Sequence, residues 1–234
     1  MNKDNIERFK DAPWLPKERL QIIIGGAGGI SSWLALLLSR INVDNNLDIT
    51  VYDFDKIEKH NLGGQFYSTN QIGLLKVSAV RQNIKLFSDC DIKTYGEYKK
   101  DSLIAPIMFS GFDNMSAREI FFSNWKTAYN NIKNDVVSPI FIDGRLNAEQ
   151  IQIFCVDNED KIKEYEKKLF PENYIADAPC TFKQTSHIAT MIASYMVSFF
   201  TNHLANCYQQ SGRTVPFFFE VITPLNLSTE NVLV

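Results

Sequence analysis

The chain has 234 residues, 45% of them hydrophobic and 22% charged, which suits a folded globular protein able to bury a sizeable core rather than a disordered tail. A net charge of −3 and a pI near 5.7, with lysines 161, 163, 167 and 168 interleaved with glutamates, give no mark of a nucleic-acid-binding surface. Cys90, Cys155, Cys180 and Cys207 lie far apart with no Cys-x-x-Cys pair. That spacing argues against a disulfide framework and against structural zinc, and a reducing cytoplasm is the expected setting.

The first residues are charged and lack the apolar core of a secretory signal, and residues 1–19 read as an arm ending in a turn with Pro13 and Pro16. The uncharged run Ile22–Leu38 approaches the length of a membrane span. Gly25, Gly26, Gly28 and Gly29 near its start favour instead a strand (Leu20–Ile24), a turn and a buried helix to about Ile41. Strand patterns follow at Leu47–Tyr52, Ile92–Tyr95, Ile107–Phe112, Pro139–Ile142 and Gln150–Val156. Helical patterns fill Gly73–Phe87, Asn114–Ile132, Asn158–Leu169 and Ser186–Asn206, and Phe217–Ile222 is a late strand. Alternation of strand and helix through residue 145 predicts a Rossmann-like α/β fold. Its sheet is mostly parallel, has helices on both faces and is extended by an antiparallel C-terminal part. One domain over 1–234 is expected: the arm, a nucleotide-binding half over 20–145, and the sheet extension, crossover loop and final helix and strand over 146–234.

Gly26-Ala27-Gly28-Gly29-Ile30-Ser31 lies between a strand and a helix. Glycines there permit a tight turn and let backbone amides approach phosphate oxygens at a helix N-terminus. Asp53, at the end of the second strand, is placed to accept hydrogen bonds from ribose hydroxyls. This pair alone suits any nucleotide or dinucleotide.

Further motifs follow in order: Asp53-Phe54-Asp55, His60-Asn61-Leu62-Gly63-Gly64-Gln65-Phe66, Gly73-Leu74-Leu75-Lys76-Val77, and Gly111-Phe112-Asp113-Asn114 with Arg118 one turn on. The series, over roughly residues 20–155, resembles the ThiF/MoeB family and the adenylation domains of ubiquitin-activating enzymes. The resemblance implies an ATP-dependent adenylyltransferase that activates the C-terminal carboxylate of a ubiquitin-like protein or peptide. It implies cofactor contacts by Gly26, Gly28, Gly29, Asp53, Asp55, Asn61, Gln65, Lys76, Asp113 and Asn114. Within that set Asp53 would hold the ribose, Asn61 and Lys76 the triphosphate, and Asp113 a Mg²⁺ ion. The bland alternatives are a solvated Lys76 and an Asp113 or Asn114 that merely caps a helix.

Two departures stand out. The family's Asn-Leu-x-Arg-Gln is Asn61-Leu62-Gly63-Gly64-Gln65 here, so a phosphate-binding arginine is missing. Arg8 is a candidate substitute, since Arg8-Phe9 loosely resembles the family's N-terminal arginine segment, which commonly reaches a second subunit and so implies a homodimer. The zinc-holding Cys-x-x-Cys pairs are also missing, and no zinc is expected.

Ala178-Pro179-Cys180-Thr181 looks like the segment that supplies the thioester cysteine in ubiquitin-activating enzymes, so Cys180 is either an acyl carrier or an inert thiol. His187 is more simply a polar helical residue than its partner. Asp143 and Arg145 read as an internal ion pair or as a guide for an incoming carboxylate. Cys90, Cys155 and Cys207 are expected to pack. Two other classes compete: a non-catalytic subunit of the same fold, kept open by Gly64, and a nicotinamide-dependent oxidoreductase, which leaves Lys76 and Asp113-Asn114 unexplained. Neither membrane nor nucleic acid is an expected partner.

Overall fold

The computed structural model describes residues 10–88, 90–131, 136–147, 150–169 and 186–222. Among these residues seven strands form one sheet: β1 (Leu20–Gly25), β2 (Leu47–Tyr52), β3 (Lys93–Tyr95), β4 (Ile107–Ser110), β5 (Ile140–Asn147), β6 (Gln150–Val156) and β7 (Phe218–Ile222). Their order is β3-β2-β1-β4-β5-β6-β7. Every pair from β3 to β5 is parallel, while β6 and β7 add antiparallel strands.

Among the described residues five α-helices flank the sheet: α1 (Gly29–Arg40), α2 (Lys76–Ser88), α3 (Met115–Asn131), α4 (Glu159–Glu166) and α5 (Ser186–Gln209). The run Ile22–Ile24 is buried throughout because both sheet faces are covered, as a central parallel strand requires. On one face Leu34 and Leu38 of α1, Val80 and Ile84 of α2 and Ile192 and Phe200 of α5 share a core with Ile22, Ile24 and Phe109. On the other face Phe121, Phe122 and Trp125 of α3 and Tyr165 of α4 pack on Met108, Phe141 and Phe154. The Ile22–Leu38 run is therefore strand, turn and buried helix, and among the described residues no helix is long and apolar enough to cross a membrane.

Of the boundaries that differ from the sequence pattern, two bear on the site. Helix α2 begins at Lys76 rather than Gly73, because Leu75 forms a bridge with Lys56 and the Gly73 and Lys76 amides donate to the Ile57 and Asp55 carbonyls. Gly73 serves this turn with φ +89°. Strand β5 runs on through Asp143-Gly144-Arg145, which pair with Phe154, Ile153 and Gln152 of β6. Gly144 belongs there because a Cβ would stand 2.7 Å from Met196 Sδ on α5.

Candidate nucleotide-binding site

The carboxyl ends of β1, β2 and β4 meet at the glycine turn, where an open α/β sheet places ligands. Gly26 takes φ +84° close to the Gly111 carbonyl, and the Phe112 ring lies where a Gly25 side chain would stand. Gly28, by contrast, has nothing within 4 Å of where a Cβ would be. It precedes α1 as an N-cap that supplies no side-chain hydrogen bond. The result is open space beside the first amides of a 12-residue helix, whose partial positive charge favours an anion. Ser31, in place of the third glycine, turns its hydroxyl back to the Gly25 carbonyl at 3.2 Å.

Asp53 holds this turn in shape. Its Oδ2 accepts the Ala27 amide and its Oδ1 the Asp55 amide, each at 2.7 Å. Burial pushes its pKa up, and those two hydrogen bonds and the nearby Lys76 charge pull it part of the way back. Tyr67 clamps the same residue from the other side, donating its hydroxyl to the Ala27 carbonyl. Burial and the charges of Asp53 and Asp55 hold that phenol far above its ordinary range, so it stays a donor. The motif series contains no residue that would have singled out Tyr67.

Lys76, at the start of α2, is buried, and its Nζ sits 2.8 Å from Oδ2 of the half-exposed Asp55. Asn61 is buried in a reciprocal cap: its side chain accepts the Glu58 amide at 2.7 Å, while the Glu58 side chain accepts the Asn61 amide. This loop lies against α1, with Trp33 Nε1 donating to the Gly64 carbonyl at 3.1 Å and the Trp33 and Phe66 rings 4.7 Å apart. The buried carbonyl oxygen of the Gln65 side chain has no hydrogen-bond partner, an acceptor left for a ligand donor or water.

Asp113 is exposed just beyond β4. Asn114 takes the capping task, its Oδ1 accepting the Ala117 amide at 2.8 Å. Arg118, one turn later, is buried; it contacts Asp143 and the Phe112 carbonyl and bonds the Gly144 carbonyl at 3.2 Å. It fixes the residue before Asp113 to β5, a tie between distant segments that the motif spacing does not reveal.

Asp143 and Arg145 do form an internal ion pair, at 2.7 Å, with Tyr165 donating to the same carboxylate at 2.8 Å. The Arg145 guanidinium lies 4.7 Å over the Phe154 ring, so it is sequestered rather than offered to a substrate. Arg8 and Cys180 lie outside the described residues; His187 is on the exposed side of α5. Cys90 and Cys155 are buried as expected. Cys207 is half-buried and packs against the core as expected, and its sulfur also meets His203 Nε2 at 3.6 Å. The four-residue spacing of His203 and Cys207 on one helix was the available signal.

The donor set fits a magnesium–nucleotide complex. The open space beside the first helix amides suits phosphate, and Asp53, Asp55 and Asp113 outnumber the ammonium of Lys76, so a polyphosphate needs a compensating cation. Among the described residues no cluster of three or more His, Cys, Asp or Glu side chains could enclose a metal by itself.

The ThiF family matches over residues 7–124, half of the chain. Ubiquitin-like modifier-activating enzyme 5 of Caenorhabditis elegans is 35% identical over 63 residues, 27% of this chain and 14% of that protein. The chain thus spans well under two thirds of the length of the curated relatives it matches. Among solved structures, selenomethionyl PaaA aligns with a TM-score of 0.66 at 15% identity, covering 96% of this chain and 81% of its own. E. coli MccB with ATP aligns at 0.59 and 13% identity, covering 88% and 65%. The structural likenesses establish the Rossmann-like fold, and the family match over the segment that carries the glycine turn, Asp53, Lys76 and Asp113 establishes that the chain belongs to the ThiF family.

Proposed function

We propose that this protein is an ATP-dependent adenylyltransferase that activates the C-terminal carboxylate of a ubiquitin-like protein or peptide as an acyl-adenylate. The observation that most supports the reading is the convergence at one sheet edge of an open glycine turn, Asp53, Lys76 and an exposed Asp113 relieved of capping. The amides of Gly28 and Gly29 would receive phosphate oxygens, with Gly26 forming the turn behind them. Asp53 would accept the ribose hydroxyls. Lys76, swinging from Asp55, would meet the charge that grows on the departing pyrophosphate, while Asn61 and Gln65 line the approach. Asp113, oriented by Asn114, would hold Mg²⁺, which supplies charge neutralisation between phosphate oxygens. The carboxylate attacks the α-phosphate in line, and positioning and charge placement carry the catalysis.

Gly64 gives a second reading its footing. The guanidinium groups of Arg19, Arg40, Arg81, Arg118 and Arg145 are engaged with Asp48, the Phe87 carbonyl, Asp91 and Asp143. Of the described arginines this leaves the exposed Arg213, and the arm that carries Arg8 would supply the arginine for the phosphates by reaching the site of a second copy in a homodimer. Without one, the chain is a nucleotide- or tail-binding subunit that does not turn over. Cys180 would receive the acyl group as a thioester if transfer follows, and the reducing cytoplasm is the proposed setting.

ATP–pyrophosphate exchange with Mg²⁺, run on the full chain and on Asp113→Ala with carboxylate-bearing partners, tests the proposal. Partner-dependent exchange that vanishes in the variant supports adenylation. Mg-ATP binding without exchange across a panel of such partners favours the non-catalytic reading, and no ATP binding overturns both.

A further inference from the structure

At the other rim of the sheet from the glycine turn, three polar groups from distant parts of the chain come together. Ser138 lies two residues before β5, and His203 and Cys207 are one turn apart on α5. His203 Nε2 is 2.8 Å from the Ser138 carbonyl, a spacing that requires the nitrogen to carry a proton. That N–H also faces the Cys207 sulfur at 3.6 Å, and the Ser138 hydroxyl approaches the sulfur at 3.5 Å. His203 is buried, Ser138 is exposed and Cys207 is half-buried, so the imidazole is shielded and the sulfur can still be reached. A thiolate gains from such an arrangement, because the imidazole N–H, shared with the Ser138 carbonyl, and the Ser138 hydroxyl both stand within hydrogen-bond reach of the sulfur.

We propose that Cys207 is a nucleophilic thiol, ionised with the help of His203 and Ser138, that undergoes exchange with small disulfides of the glutathione class. The Cys207 thiolate attacks one sulfur of the disulfide; a new S–S bond forms as the old one breaks. The departing thiolate carries away the electron pair and takes a proton from solvent. Cys207 is thereby oxidised to a mixed disulfide and the reagent reduced to one equivalent of thiol. This site does not belong to the adenylation reading: Ser138 precedes β5, at the end of the sheet opposite the carboxyl ends that carry the glycine turn, and lies roughly 16 Å of extended chain before Asp143.

The neighbouring charges agree with the geometry. Despite its burial, the thiol is brought down to about 7 by the hydrogen bond and charge of His203 and by Ser138. Burial holds His203 down, but its contacts with Cys207 and Ser138 and the charge of Asp157 more than offset this, and its pKa lies above the ordinary value. Tyr208, the next residue on the helix, is held at about 12 and stays neutral. Burial instead raises the thiols of Cys90 and Cys155.

The test is the rate of mixed-disulfide formation by oxidised glutathione between pH 5.5 and 9.5, assigned by peptide mass mapping on the full chain carrying Cys180→Ser. Cys207 is expected to react ahead of Cys90 and Cys155, with a rate midpoint near the 7 given by its surroundings. His203→Gln should react about fivefold more slowly at pH 6 and about threefold faster at pH 9, since a more basic thiolate is scarcer but a stronger nucleophile. A merely structural role for His203 would not produce that crossing. Ser138→Ala, which keeps the backbone carbonyl, should shift the midpoint the same way by less, and it carries the comparison if His203→Gln fails to fold by circular dichroism. The proposal is overturned if Cys207 reacts no faster than the buried cysteines, or if its midpoint is that of a free thiol, about 8.5. An unshifted profile in the folded variants overturns it as well.

Discussion

Asn114 Nδ2 lies 3.3 Å from Asp113 Oδ1, while Asn114 Oδ1 accepts the Ala117 amide and closes the first turn of α3. One residue caps and its neighbour keeps an exposed carboxylate, so the two tasks are separable by mutation. Asn114→Ala should cost about 1 kcal/mol of stability, the ordinary worth of an N-cap. Asp113→Ala should leave the urea midpoint nearly unchanged and lower Mg-dependent pyrophosphate exchange by at least 10²-fold, roughly the loss of one charge-stabilising group. A large loss of stability in Asp113→Ala would show that the carboxylate is structural.

Gly28 and Gly26 invite a similar comparison. A methyl at Gly28 enters open space at φ −80°, so Gly28→Ala should stay within about 0.5 kcal/mol of the parent in urea unfolding. The same methyl would occupy the space proposed for phosphate and should weaken ATP binding by calorimetry. Gly26→Ala forces a left-handed φ against the Gly111 carbonyl and should destabilise by more than 1 kcal/mol before any ligand is added, on the order of the strain of such a conformation. Undiminished ATP affinity in Gly28→Ala would move the phosphate site elsewhere.

These elements differ in how far the sequence exposes them. Ile22–Ile24 and Ile140–Ile142 read as buried strands because an apolar run between turn signals has few other uses, and the Gly26–Gly29 turn is visible from its composition alone. The start of α2 was not visible: Leu74 and Leu75 fit a helix face, and only the distant bridge to Lys56 draws them into an extended path. That bridge also brings Lys76 to Asp55, so the ion pair follows from tertiary structure and not from the Lys-Val motif. Asp143 and Arg145 were legible as a pair because they are two residues apart. Arg118, marked by the motif series, and Tyr165, which had no such mark, complete the same cluster from 25 and 22 residues away, and nothing local ties either to Asp143.

That cluster makes its own prediction. Asp143 is fully buried between Arg118 and Arg145 and accepts the Tyr165 hydroxyl. Removing it leaves two guanidinium groups facing each other with no counter-charge. Asp143→Ala should therefore lose about 3–5 kcal/mol, the usual result of stripping one partner from a buried ionic group. Arg145→Met, which keeps the contact with Phe154 and leaves Arg118 on Asp143, should cost less. Equal losses in denaturant titrations would mean that packing of the Arg145 stem, not charge balance, dominates.

Asp53 predicts opposite pH responses for the free protein and for ligand binding. Burial raises its folded-state pKa, so its contribution to stability is fully present below the unfolded value, about 3.9, and is lost as pH rises through the folded value. At neutral pH ionised Asp53 is thus a cost to the fold, moderated by the Ala27 and Asp55 amides. A ribose hydroxyl, however, would donate to the ionised form. ATP affinity should then weaken as pH falls through the raised value, beginning at a higher pH than an ordinary aspartate would give. Asp53→Asn should flatten that dependence and lower affinity about tenfold at pH 7, the worth of a hydrogen bond to a charged acceptor. Thermal shifts with and without Mg-ATP from pH 4.5 to 8 measure both responses, and a ligand-induced shift with the same pH profile in parent and variant would remove Asp53 from the nucleotide site.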